Sequence, residues 1–242
     1  RKITAANLAD IYAMGATPTY LVVAVTLSGE ESMEWISELA QGIKHEASSC
    51  GAVVVGGDLA RGAIKVISMS ALGEVEKAVT RSGAQVGDSI YLSSLPGWSA
   101  AGLSCIEKSE LSDLESYAVE EFCSPTLDYS MAVAFAHKGA HAMCDVSDAL
   151  VIQAEQLAQA SGVQLVFDAA AFKASEEFAQ LSELAEASGV DVWQWIFAGG
   201  EDHVFLATGK DLPGLCVGVV KTGSGVIGLE MKKAPDTWRH FS

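Results

Sequence analysis

The sequence has 242 residues, half of them hydrophobic and 23 of them glycine, which excludes a disordered or fibrous chain and allows one large domain or two smaller ones. Acidic residues outnumber basic ones 31 to 15, a formal charge of −16, which argues against nucleic acid and anionic membranes as partners because both need a basic footprint. Polyphosphate ligands stay open, since divalent cations can sit between carboxylates and phosphates.

Thr4 to Met14 reads as a helix with Leu8, Ile11 and Tyr12 on one side and Gly15 placed to end it. Leu21 to Leu27 is a buried-strand candidate after Pro18, and the apolar run Tyr20 to Val25 is too short to span a bilayer. Ser28 and Glu31 form an S-x-x-E capping box. The helix that follows carries Met33, Ile36, Leu39, Ala40 and Ile43 inward and stops before Gly51. Ala52 to Val55 is a strand running into Gly56-Gly57-Asp58, and Ile64 to Leu72 is another. The polar stretch from Lys77 to Asp88, with Gly83 and Gly87, marks a domain boundary, giving domains 1–77 and 78–242.

Beyond it the pattern predicts a strand at Ser89 to Ser93, a turn at Pro96-Gly97 and a helix from about Ser99. A helix from Thr126 to His137 follows, then a strand ending at Cys144, a helix from Asp148 to Ala160 and a strand at Val163 to Phe167. Two helical segments between Phe172 and Phe197 and terminal strands after Gly200 complete the chain. Such alternation argues for layered α/β architecture. The cysteines Cys50, Cys105, Cys123, Cys144 and Cys216 are widely spaced without a C-x-x-C pair, so neither a disulfide framework nor a zinc site is expected. A reducing cytoplasm is the natural compartment.

Several polar clusters could carry chemistry. Asn7 and Asp10 share a helical face through their i, i+3 spacing, which also describes an ordinary solvated face. In Gly56-Gly57-Asp58 the glycines could let backbone N–H groups approach a phosphate while the aspartate holds its cation; a tight turn capped by Asp is the alternative. Asp145-Val146-Ser147-Asp148 places two carboxylates and a hydroxyl at a helix start, more than an N-cap alone needs. Gly199-Gly200-Glu201-Asp202 repeats the device before a strand. Arg81 and Trp238 alone read as a surface residue and a packing anchor.

Together these segments resemble the thiamine-monophosphate kinase family, within the superfamily of aminoimidazole ribonucleotide synthetase, selenophosphate synthetase and a hydrogenase maturation factor. The matching stretches are NLADIYAMGATPTYLVVAVTL, VVVGGDLARG, AVTRSGAQVGDSIYLS, SAAGL, DVSDAL, AGGED and the terminal TWRHF. The resemblance implies the two-domain aminoimidazole ribonucleotide synthetase-like fold, α/β (α+β) with mixed sheets and packed helices, and a homodimer formed through the N-terminal domains. It implies Asp10, Asp58, Asp145 and Asp148 as Mg²⁺ ligands, and Gly57, Asp58, Arg81 and Ser147 as ATP contacts. Glu201 would hold the thiamine moiety by hydrogen bonding and Trp238 by stacking. Departures from the family pattern are Ala149 for glycine, His203 for the frequent tyrosine, and Trp98 where a small or polar residue is common. The family's upstream Gly-Asp-Asp loop and Ser-Thr-Asp segment are not in this sequence, so the N-terminal domain is expected to be incomplete at its start.

The chemistry so implied is ATP-dependent phosphorylation of thiamine monophosphate by direct in-line transfer. The acceptor phosphate has a second pKa of about 6, so its oxygen is already an anionic nucleophile near neutrality. No covalent nucleophile or dedicated base is required, and the five histidines form no recognisable triad. Magnesium ions would let the two polyanions approach. The alternatives are a sister activity of the same superfamily and a non-catalytic nucleotide- or thiamine-phosphate-binding protein.

Overall fold

The computed structural model describes residues 1–230, so Trp238 lies outside the described residues. In chain order the elements are α1 (Lys2–Tyr12), β1 (Thr17–Leu27), α2 (Met33–Ser49), β2 (Val53–Arg61), β3 (Val66–Glu74), β4 (Ser89–Leu92), α3 (Trp98–Cys105), α4 (Asp113–Cys123) and α5 (Tyr129–His137). There follow β5 (Ala142–Asp145), α6 (Leu150–Ser161), β6 (Gln164–Phe167), α7 (Ala169–Lys173), α8 (Glu176–Ser188), α9 (Val192–Ala198), β7 (Phe205–Gly209), β8 (Leu215–Lys221) and β9 (Gly225–Ile227). None of these helices is long and apolar enough to cross a membrane.

Two sheets result. The first has the order β2-β1-β3, with β1 parallel to β2 (Tyr20 beside Val53) and antiparallel to β3 (Val23 beside Met69). The second has the order β5-β7-β4-β8-β6-β9, antiparallel throughout except for β6 with β9. This is the mixed-sheet α/β architecture expected. No helix or strand lies between Glu74 and Ser89.

The second sheet is buried on both faces, and its strand alternation shows how. Ile90, Leu92, Ala142, Cys144 and Leu206 point into a core with Leu150 and Leu157 of α6 and Ile196 and Phe197 of α9. The alternate residues Tyr91, Met143, Phe205 and Ala207 point the other way, against Ala132 and Phe135 of α5, Ala9 and Tyr12 of α1, and Ala13 just after it. Each large side chain fully buried here, such as Phe135, Phe197 or Phe205, contributes about 2–3 kcal/mol. The same α1 sends Leu8 toward the small sheet, into a cluster with Leu21, Ala47 and Ala52. One helix thus fastens the two sheets together.

Local expectations fail at identifiable places. Ser28 does bond Glu31 (Oγ to Oε1, 2.9 Å), but the residue capping α2 is Ser32, whose Oγ accepts from the Trp35 N–H at 3.1 Å. Met33 consequently sits before the first inward turn and is 77% exposed. Helix α4 is absent from the sequence reading although Ser112 and Glu115 form a full capping box at its start. Between Phe172 and Phe197 there are parts of three helices rather than two segments. Gly56-Gly57-Asp58 is neither a turn nor a loop, because β2 runs straight through it. A Cβ on Gly57 would overlap the Val23 carbonyl, so the need for glycine there comes from strand packing. Beside Gly56 there is open space.

Candidate active site

Strand phase places the first acidic group. Asp145 ends β5 two residues after Met143, so it faces the α1 side of the sheet, where Asp10 lies one residue beyond the packed Ala9. Asp10, Arg81, Cys144 and Asp145 line one cavity of about 360 Å³. The Asp10 carboxyl is held above the usual carboxylate range, first by loss of hydration and next by the Asp145 charge, with His203 and Arg81 acting in the opposite sense. Asp145 is buried, and its Oδ2 lies 3.0 Å from His203 Nδ1. Cys144 is buried too, its thiol pushed up to about 12 by its surroundings despite the neighbouring Arg81, so it is inert packing.

A second cavity, of about 500 Å³, lies on the other side of the Asp145–Asp148 loop. Ser147, Asp148, Gly200 and Glu201 line its polar side, and Ala100, Leu103, Phe122 and Ala198 its apolar side. The two motif loops are laced together by backbone bonds: Glu201 N–H donates to Ser147 (2.7 Å), His203 N–H to Val146 (2.9 Å) and Val146 N–H to Val204 (2.8 Å). Gly200 has to be glycine, since a Cβ would run into the carbonyls of Asp148 and Ser147. Glu201 and His203 both adopt the left-handed conformation, at φ 69° and 53°, which non-glycine residues hold only under surrounding constraint.

The supporting residues were not singled out from sequence. Gln153, buried on the first turn of α6, accepts from the Ala149 N–H (3.1 Å) and donates to Ser147 Oγ (3.3 Å). It replaces the Ser/Asp helix cap considered above, because the N-cap of α6 is Ala149. Asp202 accepts from the N–H groups of Gly97 and Ser99, both at 2.9 Å, and so anchors the start of α3 beside the second cavity. Burial pushes its pKa up to about 6 even against those two bonds. Lys2 Nζ donates to the Phe122 carbonyl (2.7 Å) and lies 3.2 Å from Glu201 Oε2. An ion pair this exposed is worth at most about 1 kcal/mol. Asp202 carried a signal as the last residue of the Gly-Gly-Glu-Asp motif and His203 as a departure beside it; Gln153 and Lys2 carried none. Trp98, another of the three departures, is buried edge-on against Tyr117 at 4.9 Å and serves packing.

Of the expected site residues, Asp10, Arg81 and Asp145 meet in one cavity, and Ser147, Asp148 and Glu201 in its neighbour. Gly57 and Asp58 share neither; they are exposed on β2. Asn7 turns back onto its own helix, its Nδ2 donating to the Ile3 carbonyl at 2.8 Å. A third cavity, of about 520 Å³ between α2 and the small sheet, is lined by apolar residues such as Val23, Ile36 and Leu39 and offers phosphate little beyond Lys44.

Among the described residues no three His, Cys, Asp or Glu side chains form a closed metal cage. Magnesium commonly takes only one or two carboxylates and completes its shell with water and phosphate oxygens. The facing Asp10 and Asp145 carboxylates, each a hard oxygen donor, fit that demand.

The chain matches the models of AIR synthase related protein, N-terminal domain, over residues 1–75, and AIR synthase related protein, C-terminal domain, over residues 85–200. It is 32% identical to a thiamine-monophosphate kinase of Corynebacterium glutamicum over 254 residues, covering all of this chain and 76% of that protein. Against the Mycobacterium tuberculosis thiamine-monophosphate kinase identity is 38% over 211 residues, 86% of this chain but only 62% of the relative. The solved structure described as AaThiL complexed with AMPPCP and TMP superposes with a TM-score of 0.89 at 28% identity, covering 99% of this chain and 80% of that one. A hydrogenase maturation protein HypE in complex with ATP shares the fold at 18% identity and a TM-score of 0.71, covering 91% of this chain and 71% of that one. With this degree of identity and coverage, the chain belongs to the thiamine-monophosphate kinase family of enzymes.

Proposed function

We propose that this chain catalyses ATP-dependent phosphorylation of thiamine monophosphate to thiamine diphosphate by direct in-line transfer of the γ-phosphate. The observation that carries the reading is the stitching of two distant loops, Asp145–Asp148 and Gly200–His203, against the helix that bears Asp10. That stitching sets a carboxylate-lined cavity beside one with both an apolar and an acidic wall, which suits a charged phosphate next to a ring system.

In this reading Arg81 donates to phosphate oxygens, and the Ser147 hydroxyl, oriented by Gln153, adds a further contact. Gly57 and Asp58 would meet the nucleotide from the exposed strand β2. Glu201 accepts a hydrogen bond from the thiamine moiety, with Trp238 as the proposed stacking partner. No side chain has to remove a proton, because the acceptor phosphate is already anionic above its second pKa of about 6. Asp10, Asp58, Asp145 and Asp148 are the proposed magnesium ligands; bound magnesium would offset the repulsion between the two polyanions.

The chain is read as two domains, 1–77 and 78–242. A homodimer through the first sheet is supported by its uncovered apolar residues, Val53 and Val55 at 57% and Leu59 at 67% exposed. A reducing cytoplasmic setting is supported by five free cysteines.

The test is an assay of this chain with ATP, magnesium and thiamine monophosphate, following thiamine diphosphate by chromatography. Formation of product that depends on both substrates is expected. Binding of both substrates without product would replace the kinase reading with that of a binding protein.

A further inference from the structure

We infer that Lys2 and Phe122 form a specificity clamp at the second cavity, with Phe122 the apolar wall for the ring of the phosphorylated substrate and Lys2 the positioning residue that fixes the distance from that wall to Glu201. The inference rests on the kinase reading and adds two residues to it. Three contacts meet at one ammonium group: Nζ of Lys2 lies 2.7 Å from the Phe122 carbonyl oxygen, 4.1 Å from the centre of the Phe122 ring and 3.2 Å from Glu201 Oε2. The Lys2 side chain is only 25% exposed, so the ammonium is held rather than waving in solvent.

Each contact has its own physical cause. Phe122 is the next-to-last residue of α4, where helix carbonyls lack partners within the helix, and a cation is the favoured partner at that end. The ring face attracts the same cation. Glu201, in its left-handed conformation, lines the cavity and pairs its carboxylate with the same ammonium. Lys2 therefore joins the end of α4 to the Gly200–Glu201 turn. It does so from the first turn of α1, the helix that carries Asp10 into the other cavity roughly 12 Å further along its axis.

The ligand that fits is flat and amphipathic, with a hydrogen-bond donor for Glu201 and an aromatic surface for Phe122. Direct attraction between Lys2 and the ligand ring is not required, because Lys2 contacts Phe122 and Glu201 themselves.

Calorimetric binding of thiamine monophosphate, without nucleotide or metal, and steady-state KM values test the clamp. Lys2→Met and Phe122→Leu should each weaken thiamine monophosphate binding and raise its KM by about tenfold, while AMPPCP binding moves by less than about twofold. Lys2→Arg should restore most of the affinity, since a guanidinium can serve the same carbonyl and carboxylate. If Lys2→Met, folded by its melting curve, binds thiamine monophosphate as tightly as the unaltered chain, the clamp is wrong and the kinase reading stands. If the unaltered chain neither binds nor converts thiamine monophosphate, both fall.

Discussion

His203 holds Asp145: its Nδ1 lies 3.0 Å from the buried carboxylate Oδ2, in the cavity that Asp145 shares with Asp10. If Asp145 is a magnesium ligand, as proposed, this contact fixes its carboxylate in one orientation, and losing such a partner commonly costs about 10–100-fold in metal affinity or activity. His203→Leu should raise the magnesium concentration needed for half-maximal turnover within that range. His203→Asn should retain more, because its amide can replace Nδ1 and asparagine tolerates the left-handed backbone at 203.

Asp145→Asn and Asp148→Asn keep the shape of their side chains and remove the charge. Each should lower turnover by about 100-fold or more while the circular dichroism spectrum and melting temperature change little. Near-normal turnover in both would detach these residues from phosphoryl transfer.

Gly200 is where the two motif loops touch. Gly200→Ala must push its Cβ against the carbonyls of Ser147 and Asp148, so the loops have to part. Activity should fall by about tenfold or more, with a stability loss of roughly 1–3 kcal/mol in urea titrations.

Asp202 gives a pH signature. Its folded pKa, about 6, is raised above the ordinary value of 3.8, so protonation stabilises the fold and that contribution is lost as pH climbs through about 6. Between about pH 5 and about pH 7 the loss should be roughly 1 kcal/mol. Asp202→Asn should remove this slope from urea unfolding curves while forfeiting one of the two N–H bonds to Gly97 and Ser99.

Val55 is exposed on β2 and does not line the large apolar cavity. If the first sheet is a dimer surface, Val55→Lys should shift the chain from dimer to monomer in sedimentation experiments without lowering its melting temperature by more than a few degrees.

Much of this protein is legible in its sequence because the responsible physics is local. Hydrophobic spacing locates α1 and α2, left-handed glycine follows the end of α1 at Gly15, and clustered Asp, Ser and Gly at element ends mark Asp145–Asp148 and Gly199–Asp202 as candidate site loops, which the fold brings together. Even the missed helix α4 had its capping box written at Ser112 and Glu115. Tertiary structure decided the rest, because it depends on pairing between remote segments. A parallel partner, β1, draws Gly57-Asp58 into a strand where local signals favour a turn. The phase of β5 turns Asp145 toward α1, and packing of that helix on both sheets brings Asp10 to meet it. No spacing along the chain encodes the meeting of Lys2 with Phe122 and Glu201, since contacts across more than a hundred residues exist only once the core has closed.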